Sequence, residues 1–215
     1  MAVAGADYYE TQYGDYERQN PDAKLSFYLD LVRAHVATGG RVFELGVGLG
    51  RFLERASREF DCAGVDTNPH GVARTRELVG GDVPVEVGSC EDIPATPAND
   101  AIVAWDVLEH LPDLDRGLSV VRDRLAVGGC LIGVVPVYDG PLGFVVRALD
   151  HDPTHVWKLG RGEWRQRLER CGFEISDQGG ILRKLILGRY YAHITRPQWL
   201  LRSVGSAIYF VARKT

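Results

Sequence analysis

The 215-residue sequence is short of several things, and each shortage closes a class of explanation. It has one methionine and four cysteines, Cys62, Cys90, Cys130 and Cys171, with no CxxC pair and no Cys/His comb. Such widely spaced thiols point to buried side chains in a reducing compartment, not to a disulfide frame or a zinc site. No uninterrupted apolar run reaches the roughly 18–20 residues of a membrane span. The first ten residues lack a basic region and an apolar core, so no signal peptide is expected and the expected location is the cytoplasm. Internal repeats and low-complexity tracts are missing as well. At 45% hydrophobic and 25% charged residues, the composition is that of a globular chain.

Acids are missing from one place in particular. After Asp177 there is no Asp or Glu, while Arg183, Lys184, Arg189, Arg196, Arg202, Arg213 and Lys214 follow. The net charge of −4 therefore conceals a cationic end on an acidic body. A pI near 5.9 argues against a nucleic-acid partner, whose footprint would spread over the core surface.

What is present is an alternation of strands and helices. Asn20-Pro21 predicts a helix start, with Leu25, Tyr28, Leu31 and Val32 at helical spacing behind it. Strands are expected at 41–45, 62–66, 84–89, 101–106, 128–136, 173–176 and 206–214, with helices between the earlier ones. The expectation is an α/β, Rossmann-like, doubly wound sheet of seven mostly parallel strands with helices on both faces. One domain over 1–215 accommodates it, with a lid and helix at 1–38 and an insertion at 179–205 that Pro197 breaks into two short helices.

The most informative stretch is Phe43-Glu44-Leu45-Gly46-Val47-Gly48-Leu49-Gly50-Arg51, a buried strand running into a glycine turn and a helix. A dinucleotide turn, GxGxxG, would put its third glycine where Arg51 stands. Glu44, just before the turn, is badly placed beside a pyrophosphate and well placed for an amine. Asp66, at the end of the second strand, is where ribose hydroxyls are held in such sheets. The pocket asks for a nucleoside with a cationic tail.

These residues, with Gly88-Ser89-Cys90-Glu91-Asp92-Ile93-Pro94, Asp100 to Pro112 and Leu125 to Pro136, resemble the ordered motifs of class I S-adenosylmethionine-dependent methyltransferases, the small-molecule branch in particular. The resemblance covers residues 40–178 and implies the seven-stranded fold with its last strand antiparallel. It also implies S-adenosyl-L-methionine as methyl donor and S-adenosyl-L-homocysteine as product. Gly46, Gly48 and Gly50 would then pack on the methionine and ribose, Glu44 would orient the amino group, and Asp66 with Thr67 would face the ribose diol. Ser89, Cys90 and Glu91 would line the adenine, Ser89 standing where the family usually has Asp. Trp105 would lie along the methionine moiety, and Arg51 or Arg18 would meet its carboxylate. Tyr13 and its neighbouring tyrosines would close over the cofactor.

Methyl transfer needs alignment more than a particular catalytic group, and a base only for a protonated acceptor. His110 is the first candidate base, followed by His155 and His151 in the loop His151-Asp152-Pro153-Thr154-His155-Val156-Trp157. Each has a plain alternative, capping a turn or stitching a loop. No metal is expected, although Asp106-x-x-Glu109-His110 is similar to a divalent-cation cluster of ubiquinone-pathway O-methyltransferases that would suit Mg²⁺. The basic, aromatic insertion has three readings: a roof over the acceptor, a dimer face, or a peripheral membrane contact. Monomer and homodimer both remain open. The expected activity is methylation of a small molecule, on oxygen in preference to nitrogen. A lipid-linked or quinol-type acceptor and a non-catalytic cofactor-binding subunit are the alternatives.

Overall fold

The computed structural model describes residues 19–150, 152–186 and 190–215. Its elements are α1 (Asp22–Arg33), β1 (Arg41–Leu45), α2 (Arg51–Ala56), β2 (Asp61–Asp66), α3 (Pro69–Val79), β3 (Val85–Val87) and β4 (Asn99–Trp105). There follow α4 (Leu114–Arg124), β5 (Leu125–Pro136), α5 (Gly143–Leu149), α6 (Arg161–Arg170), β6 (Phe173–Ile186), β7 (Tyr190–Ile194), α7 (Gln198–Val204) and β8 (Ala207–Lys214). Two 3-10 turns, Cys90–Asp92 and Leu108–His110, follow β3 and β4.

One sheet carries the strands in the order β3-β2-β1-β4-β5-β8-β6-β7. The first five are parallel, and β8 pairs antiparallel with β5 and β6. β4 shows why the sheet is covered on both sides. Its successive side chains alternate across the plane, so Ala101 and Val103 join the cluster holding Leu25, Val32 and Leu53, while Ile102 and Ala104 join Leu114, Leu118 and Trp164. Helices α1, α2 and α3 thus lie on one face, and α4 and α6 on the other. Strand order turns between β1 and β4, leaving a crevice beyond their carboxyl ends, where ligands sit in open α/β sheets.

The expected fold is present, with one more strand than the seven anticipated. The difference lies in the insertion. Where two short helices were expected, β6 runs on to Ile186 and β7 pairs back on it, Leu182 opposite Ile194 and Arg183 opposite His193. Only α7 is helical. Beta-branched and aromatic residues favour a pleated surface, and Ile181, Ile186, Tyr190, Tyr191 and Ile194 supply them. Gly180 lets α7 lie directly on the strand, because a Cβ there would run into the Leu201 carbonyl.

Candidate functional site

The glycine loop is built for close approach. Gly46, Gly48 and Gly50 have φ of 69°, 57° and 79°, a region that side chains other than glycine rarely enter. A Cβ on Gly46 would come 2.5 Å from Val107 Cγ2, and one on Gly50 2.8 Å from Thr75 Cγ2. Asp66 braces the loop from β2. Its Oδ2 accepts from the Gly48 amide and its Oδ1 from the Asn68 amide, both at 2.8 Å. Burial raises the Asp66 pKa, and these two amides hold that rise back.

Glu44 lies under the loop, 2% exposed, and its Oε2 has no hydrogen-bond partner. Burial, with the Asp66 charge adding to it, raises its pKa well above the ordinary carboxylate value. A buried carboxylate oxygen without a partner is costly unless a ligand supplies one. A cationic amine would do so.

Several of the expected cofactor residues have partners within the fold. Ser89 caps the 3-10 turn: its hydroxyl accepts from the Glu91 amide at 3.2 Å, and Asp92 Oδ2 accepts from the Ser89 amide at 2.7 Å. Glu91 is paired with Arg116 at 2.9 Å, and Arg51 with Glu54 at 3.7 Å. Cys90 is buried and Thr67 is exposed. Trp105 stacks on Tyr28 with ring centroids 4.2 Å apart, and Phe52 meets it edge-on at 5.1 Å. Tyr13, Arg18 and His151 lie outside the described residues.

His110 and His155, far apart in sequence, come together with ring centroids 4.7 Å apart. The loop carrying His155 is sewn onto the turn after β4, since the amides of Val156 and Trp157 both donate to the Glu109 carbonyl at 3.0 Å. Trp157 Nε1 donates to the Leu111 carbonyl at 2.7 Å. His110 Nδ1 lies 2.9 Å from Thr154 Oγ1. Burial lowers the His110 pKa, and His155 lowers it further, so the imidazole is neutral near pH 7. His155 Nδ1 contacts Asp150 Oδ1 at 2.8 Å and Tyr138 Oη at 3.1 Å. Burial alone would raise the Asp150 pKa, but Lys158, Tyr138 and His155 outweigh it and keep the group ionised.

The Asp-x-x-Glu-His segment does not form the cluster that its spacing suggested. Asp106 turns away onto Arg183, 2.5 Å distant, with Lys24 at 4.0 Å. The groups that do converge are Glu109, His110 and His155, with ligand atoms within 4.8 Å of one another. Glu109 is fully buried with neither carboxylate oxygen partnered, and burial raises its pKa well above normal. Two imidazoles and one carboxylate suit a transition metal and not Mg²⁺, which prefers an oxygen shell. Mg²⁺ does not fit this donor set.

Lys24, Arg183 and His193 were not anticipated, and they gather around Asp106 at the end of β4. Lys24 carried a signal, since it shares the apolar stripe of α1 with Tyr28. Arg183 and His193 carried none, because their placement depends on the β6–β7 register.

The methyltransferase-domain family profile matches residues 16–178. Over 99 residues the chain is 30% identical to a ubiquinone biosynthesis O-methyltransferase of Paramagnetospirillum magneticum, a match spanning 44% of this chain and 40% of that relative. The fold is similar to that of a putative methyltransferase complexed with the Trm112 methyltransferase activator of Haloferax volcanii, with a TM-score of 0.76, 20% identity and 99% of each chain covered. It is also similar to a possible histamine N-methyltransferase of Thermotoga maritima, with a TM-score of 0.69, 20% identity and 97% and 99% coverage.

Proposed function

The chain belongs to the class I S-adenosylmethionine-dependent methyltransferase family, and from that premise we propose that it methylates an oxygen of a small-molecule acceptor bound beyond the carboxyl ends of β1 and β4. The observation that carries this reading is Glu44, a buried carboxylate with an unpartnered oxygen beneath a glycine loop. S-adenosylmethionine supplies a methyl group on a cationic sulfur, and the carbon–sulfur bond breaks onto sulfur as the bond to the acceptor forms. The protein's part is alignment and exclusion of water. Glu44 takes the amine, the Gly46–Gly50 loop receives the nucleoside, and Asp66, already bonded to two amides, faces the ribose. Cys90 and Trp105 form apolar walls. His110, neutral and close to His155, is the candidate to receive a proton from an acceptor hydroxyl. Oxygen as the accepting atom is supported by the neutral imidazole of His110 and by the similarity to the Paramagnetospirillum O-methyltransferase.

Titration calorimetry with S-adenosylhomocysteine and with NAD tests the cofactor, and tight NAD binding without S-adenosylhomocysteine binding would overturn it. Mass spectrometry of reactions with phenols, catechols and amines tests the acceptor. Methylation of amines alone would remove the oxygen assignment.

A membrane-borne acceptor is a second reading, favoured by one group of exposed side chains. Trp199 is 79% and Phe144 77% exposed, with Leu149 and Leu200 beside them in α5 and α7. The turn that leads into α5 meets the end of α7, where Gly140 abuts the Ser203 carbonyl. Apolar rings among Arg147, Arg196 and Arg202 suit an anionic lipid surface. Among the described residues no helix is long and apolar enough to cross a membrane. Co-sedimentation with phosphatidylglycerol vesicles, lost in Trp199→Asp and weak with phosphatidylcholine, is the expected result. Equal recovery on both lipids would remove this reading.

A further inference from the structure

Asp106 follows β4 directly, and at φ 58° it is the one non-glycine residue with positive φ among the described residues. Side chains are uncommon in that region, and one is retained where surrounding contacts over-determine it. Here the contacts are Arg183 from β6 and Lys24 from α1. Burial alone would raise the Asp106 pKa, but the two cations outweigh it and keep the carboxylate ionised. His193 of β7 lies opposite Arg183 in the hairpin register, its ring 5.5 Å from Phe27 and 5.7 Å from Tyr28. Both of its ring nitrogens are buried and neither has a hydrogen-bond partner.

The place matters as much as the composition. Tyr28 stacks on Trp105, and Val107 packs on Gly46 of the glycine loop. Residues 105–107 therefore join this group to the nucleoside crevice. Burial, followed by Arg183 and Lys24, depresses the His193 pKa to about 3. Such an imidazole stays neutral and does not serve as a base at ordinary pH; it can give one hydrogen bond and accept another. Burial lowers the Lys24 pKa to about 8, so a bound anion would be repaid by a fuller charge on the ammonium. Phe27, Tyr28 and Trp105 pack beside this group as flat aromatic rings.

We propose that Lys24, Arg183 and His193 form the acceptor end of the site and select an aromatic acceptor that presents an oxyanion, either a carboxylate or a phenolate. This rests on the methyl-transfer reading and adds the acceptor's chemical class to it. His193 contributes its ring N–H to hold the oxyanion.

The test uses the full chain with S-adenosylhomocysteine, probed by 4-nitrophenol, benzoate and the neutral benzamide. Bound 4-nitrophenol is expected to ionise about one pH unit or more below the free compound, read from its visible absorbance. Benzamide is expected to bind more weakly than benzoate. Arg183→Gln should abolish the absorbance shift and Arg183→Lys should restore part of it, which separates a charge effect from misfolding. His193→Phe, which keeps the ring packing, should weaken anion binding about three- to tenfold. Displacement of 4-nitrophenolate by benzoate at comparable concentration identifies a carboxylate acceptor, and displacement only at tenfold or greater excess a phenolate; either supports the oxyanion. Benzamide binding as well as benzoate, or an undiminished shift in Arg183→Gln, overturns the proposal. Calorimetry of S-adenosylhomocysteine on the same samples keeps the two ideas apart: cofactor binding without anion preference defeats this inference alone, whereas no cofactor binding defeats the methyl-transfer reading.

Discussion

Replacing Glu44 with glutamine should move stability and affinity in opposite directions. Glu44 is 2% exposed, and its pKa in the fold is raised from an ordinary 4.5 by burial first and the Asp66 charge second. Between those two values the folded chain holds a proton that the unfolded chain has lost. Stability from this group is therefore greatest below pH 4.5 and falls as pH rises towards the folded pKa, by up to about 1.4 kcal/mol per pH unit. Glu44→Gln removes that slope. An ammonium arriving beside Glu44 favours the carboxylate, so cofactor binding below the folded pKa must release up to one proton. Calorimetry with S-adenosylhomocysteine in phosphate and in Tris, which differ in ionisation enthalpy, reads that proton directly. The variant should bind about 1.5–3 kcal/mol more weakly, the worth of a hydrogen bond to a charged group, or about 10–150-fold. It should release no proton. Unchanged affinity together with the same buffer dependence would show that the amine is held elsewhere, and the reasoning about Glu44 would fail.

Gly46→Ala should lower the unfolding free energy by about 2–4 kcal/mol, combining left-handed backbone strain with the close approach to Val107. Urea titration checks it, and a change within error would show that the loop has another conformation available. His110→Ala should slow turnover about 10²–10⁴-fold while leaving S-adenosylhomocysteine affinity little changed; full activity would remove it as proton acceptor. Because the His110 pKa is lowered, the acid limb of the wild-type pH–rate profile should lie below the range in which an ordinary imidazole titrates. A limb at or above that range would assign it to another group.

The geometry of the candidate cofactor side was legible because its parts are local. A strand, a glycine turn and the acid ending the next strand occupy neighbouring stretches, and parallel pairing brings Asp66 to the Gly48 amide without help from elsewhere. Role was less legible than position. Ser89 was expected at the adenine, yet its hydroxyl caps the turn it begins. The insertion was misread because Leu, Arg and Lys at short spacing satisfy a helical period, while the pairing that makes it a hairpin joins residues four to twelve positions apart, a match no single-strand pattern displays.

The amino-acid order by itself determined the chain's class, the parallel part of its sheet and the position of the glycine loop, since glycines after a buried strand admit few conformations. Tertiary structure alone decided which side chains gather beyond the end of β4. Asp106 and Arg183 are 77 positions apart, and His110 and Thr154 are 44 apart. No periodicity along a chain encodes such meetings; they follow from how strands register and helices pack, and only then does a lysine on an apolar stripe or an unpartnered histidine acquire a chemical meaning.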